Sequence, residues 1–241
     1  MQITKYRISS EKGSRLKIAL LSDLHDRPFD AVSAALSSEK PDLIALAGDI
    51  TNKRMPDNYH ASKVFKICAS VAPSFFCPGN HEWFFNEEDR ELCEKAGIVY
   101  LDNEYVSFGK IYIGGLSTGF RGGCEKGRGS YEPEISWLDD FSGEEGYKIL
   151  ISHHPAYYEQ YTRRLNIDLI LSGHAHGGQI RIFDRGVFYP DGGLFPDYTR
   201  GVYENRLVVS AGLSNTAGLI PRINNPTELV IIEVYQKQEN C

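Results

Sequence analysis

The sequence lacks several features that would assign it to a specialised class of protein. Its 241 residues contain no repeat, no low-complexity tract and no run of about 20 apolar residues that could cross a membrane. Five cysteines are scattered without a Cys-x-x-Cys pair, which favours a reducing cytoplasm and argues against a disulfide framework or a zinc finger. With 26 basic and 32 acidic residues the net charge is −6, so we expect no broad surface for nucleic acid or anionic lipid.

The composition is that of an ordinary globular protein, with 41% hydrophobic and 24% charged residues. The length fits one large α/β domain, and we expect a single domain over residues 1–241. The stretch 1–14 is polar and lacks the apolar core of a signal peptide. We therefore expect a cytoplasmic protein without a membrane anchor or an export signal, and the oligomeric state stays open.

Short apolar runs alternate with amphipathic patterns, which is typical of α/β proteins. Five runs predict buried strands, at 17–22, 42–47, 73–77, 147–152 and 167–172. Amphipathic helices are predicted at 31–38, 59–69, 87–96 and 157–164. Further β segments are predicted at 98–101, 105–108, 111–115, 179–183, 206–210 and 228–235.

Metal-ligand types of residue follow each of the five buried strands within a few positions. They are Asp23 and His25, then Asp49, then Asn80 and His81, then His153, then His174 and His176. Five of the seven histidines lie at these strand ends, so chance is a poor explanation. Because ligand sites of open α/β sheets lie beyond the carboxyl ends of the strands, the pattern predicts one converging site.

The residue types at these strand ends indicate a metal site. Side chains two apart in an extended segment share a face, so Asp23 and His25 can act together. Asp49 follows a glycine, and its two carboxylate oxygens can bridge a pair of cations. Nitrogen and oxygen donors without thiolate favour manganese, iron or zinc over magnesium, calcium or copper(I). We expect two divalent ions, and of these three metals we expect manganese, with iron and zinc as alternatives.

These residues belong to five short motifs, Asp23-x-His25, Gly48-Asp49, Gly79-Asn80-His81-Glu82, His153-His154-Pro155 and Gly173-His174-Ala175-His176. The set resembles the five motifs of the calcineurin-like metallophosphoesterases, over residues 16–235. The continuations Gly177-Gly178-Gln179-Ile180, Pro221-Arg222 and Asn225-Pro226 resemble a bacterial single-domain branch. That branch includes wall-associated phosphodiesterases and UDP-diacylglucosamine hydrolases.

The resemblance implies a four-layer α-β-β-α sandwich and a metal-dependent phosphoester hydrolase. One ion would be held by Asp23, His25, Asp49 and His176, and the other by Asp49, Asn80, His153 and His174. His81 would lie beside the phosphate as the catalytic acid, and metal-activated water would be the nucleophile. Glu82 is expected to orient its loop by hydrogen bonding without binding metal, and His154 to pack behind the site.

The substrate is predicted only as a class, a small phosphorylated molecule with a phosphodiester or pyrophosphate bond. A phosphomonoesterase, a non-catalytic interaction scaffold on the same fold and a DNA-processing nuclease are the alternatives. Arg27 and Arg121 are candidates for binding a phosphate. Tyr189 and Tyr198, in the aromatic and glycine-rich stretch 184–203, are candidates for a substrate-pocket wall. Loop packing explains that stretch equally well.

Overall fold

The computed structural model describes residues 1–12, 15–28, 31–52, 55–119, 132–189, 193–214 and 221–237. The strands in these ranges are Gln2–Ser10 (β1), Leu16–Leu21 (β2), Leu43–Ala47 (β3), Ser74–Cys77 (β4), Ile98–Tyr100 (β5), Glu104–Phe108 (β6), Ile111–Leu116 (β7), Tyr147–Ser152 (β8), Leu169–Ser172 (β9), Arg181–Ile182 (β10), Arg185–Gly186 (β11), Phe188–Tyr189 (β12), Gly193–Leu194 (β13), Gly201–Tyr203 (β14), Leu207–Val209 (β15) and Glu228–Gln236 (β16).

The α-helices are Ala31–Glu39 (α1), Tyr59–Val71 (α2), Glu87–Lys95 (α3) and Leu138–Gly143 (α4). Shorter helical turns are the 3₁₀ segments Met55–Asp57, Asn80–Glu82 and His176–Gly178 and the π-helical segment Tyr158–Thr162. Among the described residues, no helix is both long enough and apolar enough to cross a bilayer.

Two six-stranded sheets form the centre of the protein. The first has the order β1-β16-β2-β3-β4-β5 and the second the order β14-β15-β9-β8-β7-β6. In the first sheet β2, β3, β4 and β5 are parallel, and in the second β7, β8, β9 and β15 are parallel. The carboxyl ends of the parallel strands therefore meet along one edge of each sheet, where α/β proteins place their ligand sites.

Three apolar clusters separate four layers. In β2, Leu21 faces the helices α1, α2 and α3, while its neighbour Leu20 faces the second sheet. Residues such as Ile151 of β8 complete this middle cluster between the two sheets. Phe141 of α4 and Tyr158 cover the outer face of the second sheet. Because the central strands are buried on both faces, they are continuous apolar runs. The predicted α-β-β-α sandwich is confirmed.

The five buried strands and the first three helices agree with the predictions to within two residues at each end. The helix predicted at 157–164 is instead the π-helical segment Tyr158–Thr162, in which the Arg163 N–H donates to the Tyr158 carbonyl at 2.8 Å. The segment 179–183 forms only the two-residue strand β10. Gln179 and Phe183 have φ angles of 50° and 55°, which are incompatible with extended backbone.

Strand β1 was not predicted, although it pairs with β16 over nine positions. It lies at an edge of the first sheet, and its inward positions are Thr4, Tyr6, Ile8 and Ser10. Since only one of these four is an aliphatic residue, the apolar alternation that marks a half-buried strand is weak.

Candidate metal centre

The side chains that follow the five buried strands converge at the facing edges of the two sheets. Potential ligand atoms form three groups, and within each group all of these atoms lie within 4.8 Å of one another. These groups are Asp23 with His25 and His176, His25 with Asp49 and His81, and Asp49 with His153 and His174. Asp49 therefore belongs to two groups, and its side chain joins the two halves of the site.

Backbone hydrogen bonds link the ends of β2 and β3. The Asp23 N–H donates to the Gly48 carbonyl at 3.1 Å, and the His25 N–H donates to the Asp49 carbonyl at 2.9 Å. In the first group, Nε2 of His176 lies 3.5 Å from Oδ1 of Asp23. The rings of His25 and His176 stack with their centroids 5.4 Å apart.

The second half of the site lies between Asp49 and the second sheet. Nε2 of His153 is 3.2 Å from Oδ2 of Asp49 and 3.2 Å from Nδ1 of His174. The Nδ1 of His153 donates to the Ala47 carbonyl at 2.7 Å. Such a hydrogen bond is the usual way in which a metal-binding imidazole is oriented, and it leaves Nε2 for the metal. His154 is buried and packs on the His174 ring, with centroids 4.0 Å apart.

Two glycines allow these loops to approach closely. A Cβ on Gly48 would lie 2.6 Å from Nδ1 of His153, and Gly48 has a φ of 74°. A Cβ on Gly79 would lie 2.3 Å from Oδ1 of Asp49. The glycines in the two motifs are therefore required by the space around the ligand side chains.

Among the buried polar atoms that have no hydrogen-bond partner within the described part of the chain, two belong to expected ligands of the site. They are Nε2 of His25 and Oδ1 of Asn80. An unpaired buried polar atom is costly and calls for an explanation such as a bound ion. Asp23 and Asp49 are also fully buried carboxylates, which require compensating positive charge. The donor set and the charge both fit divalent metal ions.

Five residues of the site have backbone angles that are rare for residues other than glycine. Their φ angles lie between 46° and 65°, at Asp23, His25, Asp49, His174 and His176. Such strain costs on the order of 1–3 kcal/mol per residue and is concentrated at functional sites. The surrounding contacts must hold these residues in place.

The charges of the site are unevenly distributed in the metal-free protein. Burial opposes ionisation of Asp49, but His153 outweighs burial and holds the pKa of Asp49 well below its ordinary value. Burial likewise opposes the charged form of His153, yet Asp49 raises the pKa of His153 to about 10. Burial lowers the pKa of His25, and it lowers that of His176 to about 4. Asp49 and His153 thus form an ion pair beside two neutral imidazoles.

Asn52 connects His25 with His81, and sequence reasoning missed it. Its Nδ2 donates to the His25 carbonyl at 2.7 Å, which fixes the orientation of the amide. Oδ1 of Asn52 then lies 3.0 Å from Nδ1 of His25 and 3.1 Å from Nδ1 of His81. Because an amide oxygen can only accept, both imidazoles carry a proton on Nδ1. Nε2 of each ring therefore points away from Asn52.

His81 lies at the rim of the site. Its backbone N–H donates to Oδ1 of Asp49 at 2.8 Å, and its Nε2 lies 3.9 Å from Oδ2 of the same residue. The side chain is 45% exposed, in contrast to the buried rings of His25 and His153. It can therefore reach both the site and solvent.

Glu82 is buried beneath this rim. Its carboxylate accepts hydrogen bonds from the backbone N–H groups of Asp49, Thr51 and Gly79 and from the Thr51 hydroxyl. The expected loop-orienting hydrogen bonds are thus present, and they join the loop after β3 to the turn that carries Asn80.

The four substrate-binding candidates are not among the residues that form the three groups of ligand atoms. Arg27 is exposed on the loop after His25, and Arg121 lies outside the described residues. Tyr189 belongs to β12, and its side chain also lies outside the described part of the chain. The Tyr198 hydroxyl donates to Glu159 at 2.6 Å, and its ring packs among the aromatic residues of the third cluster. A substrate-binding role for these four residues stays a prediction.

The two-sheet fold and the buried histidine and aspartate clusters define an α/β protein with a metal site at its sheet edges. The family model described as calcineurin-like phosphoesterase matches residues 16–178, which is more than half of the chain and includes all seven expected ligands. The chain belongs to this family.

Several bacterial proteins are similar to this chain. An uncharacterized metallophosphoesterase of Aquifex aeolicus is 27% identical over 98% of this chain and 93% of its own length. One from Campylobacter jejuni is 28% identical over 92% of this chain and 60% of its own length. Phosphodiesterase YaeI of Escherichia coli is 29% identical over 75% of this chain and 68% of its own length. The chain spans about three fifths of the length of the Campylobacter and Helicobacter relatives.

A solved structure of a metallophosphoesterase from Sphaerobacter thermophilus matches 68% of this chain and 61% of its own chain. The TM-score is 0.34 and the sequence identity is 17%.

Proposed function

We propose that this chain hydrolyses a phosphodiester or pyrophosphate bond in a small phosphorylated substrate, with the help of two divalent metal ions. The supporting observation is that Asp49 is shared between groups of ligand atoms on both of its sides. The first ion, which we call M1, would be held by Asp23, His25, Asp49 and His176. The second, M2, would be held by Asp49, Asn80, His153 and His174. The donor set fits manganese, iron or zinc, and of these we expect manganese.

The unpaired atoms support this assignment. Nε2 of His25 belongs to the M1 set, and Oδ1 of Asn80 belongs to the M2 set. When bound, the two ions would activate a water molecule as nucleophile and offset the charge that develops on the phosphate. No serine, threonine or cysteine nucleophile is needed, and we expect direct attack by water.

His81 supplies the proton for the leaving group in this proposal. Nδ1 of His81 donates its proton to Asn52, so the proton available to the leaving group is on Nε2 of His81, which faces the site. Partial exposure of the ring lets that nitrogen exchange protons with solvent. General acid catalysis of this kind typically contributes about 10²–10⁴-fold to the rate.

A preference for diesters or pyrophosphates has two supports. One is the resemblance of Gly177-Gly178-Gln179-Ile180 and Pro221-Arg222 to a bacterial branch that contains phosphodiesterases. The other is the similarity to YaeI, which is named a phosphodiesterase.

The test compares two substrates with the same leaving group, bis(p-nitrophenyl) phosphate and p-nitrophenyl phosphate. Metal-free protein is assayed before and after addition of Mn²⁺, Fe²⁺ or Zn²⁺, and again in excess chelator. We expect metal-dependent hydrolysis with the diester preferred. Full activity in chelator, with metal shown absent by elemental analysis, contradicts the metal mechanism. Hydrolysis of the monoester alone contradicts the diester preference.

A further inference from the structure

We propose, on the basis of the metal assignment above, that the stretches 211–214 and 221–225 position the M1 ligands Asp23 and His176 and so set the affinity of M1 separately from that of M2. We call these two stretches the C-terminal clamp, and its positioning residues are Arg222 and Asn225. The clamp lies outside the residues 16–178 that the family model matches. It follows β15, whose carboxyl end meets the site edge beside β9.

The first stretch of the clamp supports Asp23. Both the backbone N–H and the hydroxyl of Ser214 donate to the Asp23 carbonyl, at 3.0 and 2.9 Å. The Leu213 N–H donates to the Ser22 carbonyl at 3.0 Å. Gly212 has a φ of 79°, and a Cβ on it would lie 2.7 Å from the Cβ of Asp23. The strained backbone of Asp23 is therefore packed directly against this stretch.

Arg222 joins the first stretch to the other M1 ligand. Its Nη2 donates to the carbonyls of Ala211 and Ser214 at 2.7 and 2.6 Å. The same nitrogen lies 3.2 Å from Nδ1 of the His176 ring. One guanidinium nitrogen thus holds both ends of the stretch that supports Asp23 and also contacts His176.

Asn225 holds the turn that carries His176. Its Nδ2 donates to the His176 carbonyl at 2.7 Å and to the Gln179 carbonyl at 3.2 Å. The contact is tight, since a Cβ on Gly177 would lie 2.1 Å from Oδ1 of Asn225. The positive φ angles of His176 and Gly177, 46° and 65°, are stabilised by this packing.

Two of the M2 ligands, His153 and Asn80, are held by other parts of the chain. His153 is oriented by the Ala47 carbonyl, and the turn of Asn80 is fixed through Glu82 and the Gly79 N–H. Residues that orient metal ligands typically contribute about 10–100-fold to metal affinity. Loosening the clamp should therefore lower the metal affinity of the M1 site by that factor and leave the metal affinity of the M2 site nearly unchanged.

Two variants remove contacts of the clamp independently. Arg222→Lys keeps the positive charge, so the electrostatic effect on the ions is conserved, while the shorter side chain withdraws the nitrogen that contacts the two carbonyls and His176. Asn225→Ala removes the contacts to the His176 turn. Arg185→Lys, at an exposed arginine in β11, is the matched control. His153→Ala gives the expected pattern of an M2 defect.

The metal-free proteins are titrated with Mn²⁺ by equilibrium dialysis with elemental analysis, and low-temperature EPR distinguishes a coupled pair of ions from a single ion. In both clamp variants we expect the affinity of one site to fall about 10–100-fold, with the coupled signal replaced by that of one ion. The Arg185→Lys control should bind two ions like wild type. Two double variants are Arg222→Lys/His153→Ala and Asn225→Ala/His153→Ala. Both should bind no ion at the Mn²⁺ concentration that fills M2 in the single clamp variants.

Three outcomes would contradict the proposed role of the clamp. They are an equal loss of metal affinity at both sites, unchanged affinity at both sites, and a double variant that still binds one ion. Melting in excess chelator identifies a variant that does not fold, and the other clamp variant then carries the same test. Wild-type protein that binds fewer than two ions would instead refute the proposed dinuclear site.

Discussion

Replacing Glu82 by glutamine tests how the loop of Asp49, the proposed bridging ligand, is held. The change converts one acceptor oxygen of Glu82 into an N–H₂ group at almost constant volume. Four hydrogen-bond donors point at the buried carboxylate of Glu82. One oxygen accepts from the backbone N–H groups of Asp49 and Gly79 at 2.9 and 2.7 Å. The other accepts from the backbone N–H and the hydroxyl of Thr51 at 2.8 and 3.0 Å.

The structure sets the size of the expected effect. A glutamine amide has one oxygen, so either the Asp49 and Gly79 pair or the Thr51 pair must face its N–H₂ group. The Thr51 side is less costly because a hydroxyl can turn and accept, but the Thr51 backbone N–H cannot. A buried N–H left without a partner and a lost hydrogen bond to charge together cost about 2–4 kcal/mol of unfolding free energy. Burial raises the pKa of Glu82, so relief of that buried charge offsets part of this cost.

The assay is thermal unfolding in excess chelator, followed by Mn²⁺ titration. For a chain of this length a loss of 2–4 kcal/mol corresponds to a fall in Tm of about 5–15 °C. Because the loop of Asp49 and the turn of Asn80 lose their common anchor, we expect weaker metal binding at both sites. Glu87→Gln, at an exposed residue in the first turn of α3, is the control and should leave both quantities unchanged. A Glu82→Gln protein with wild-type Tm and metal affinities would refute the anchoring role.

Three further outcomes are expected. Asp49→Ala should lower metal occupancy at both sites and abolish turnover, whereas His153→Ala should deplete mainly one site; two ions retained per chain in Asp49→Ala would contradict the bridge. His81→Ala should keep both metals and lose about 10²–10⁴-fold in kcat, with a smaller loss for nitrophenolate, which departs without protonation; loss of metal would show that His81 is a ligand. Metal binding at pH 7 should release about one proton, from His153, measured by calorimetry in buffers of different ionisation enthalpy; no release would contradict the raised pKa of His153.

The same pKa predicts how the metal-free protein responds to pH. His153 has a folded pKa of about 10, above the ordinary value of 6.5. Its protonated form is therefore favoured by folding, and its contribution to stability is fully present below about pH 6.5. That contribution is lost as pH rises towards about 10, which thermal melts in chelator between these pH values can measure.

The convergence of the site could be predicted from the sequence because it depends on local patterns. Continuous apolar runs identify strands that are buried on both faces, and the residue types after them identify ligands. Since parallel strands end at one edge, the spatial neighbourhood of Asp23, Asp49 and His153 follows from the topology. The short hairpins after His176 could not be predicted in this way. Their boundaries are set by single residues with positive φ, such as Gln179 and Phe183.

The residues that hold the ligands were missed for a different reason. Asn52, Arg222 and Asn225 are polar residues in loops. Arg222 and Asn225 belong to short motifs that resemble a bacterial branch, but nothing in the sequence around any of the three indicates a contact partner. Arg222 contacts a ring 46 positions earlier in the chain, and Asn225 a carbonyl 49 positions earlier. Such contacts arise from the folded arrangement of two sheets. A sequence pattern over a short window carries no signal for them.

The ligands and their supports therefore have different relations to the fold. All seven proposed ligands lie within residues 16–178, but β15 and β16 follow this range. Strand β16 lies between β1 and β2 in one sheet, and β15 lies between β14 and β9 in the other. Both strands thus pair directly with a strand that is followed by proposed M1 ligands, and the C-terminal clamp lies between them in the chain. The strained backbone of Asp23 and His176 is held by this C-terminal part of the protein. Residue identity specifies which atoms bind metal, while the pairing of distant strands specifies where those atoms lie.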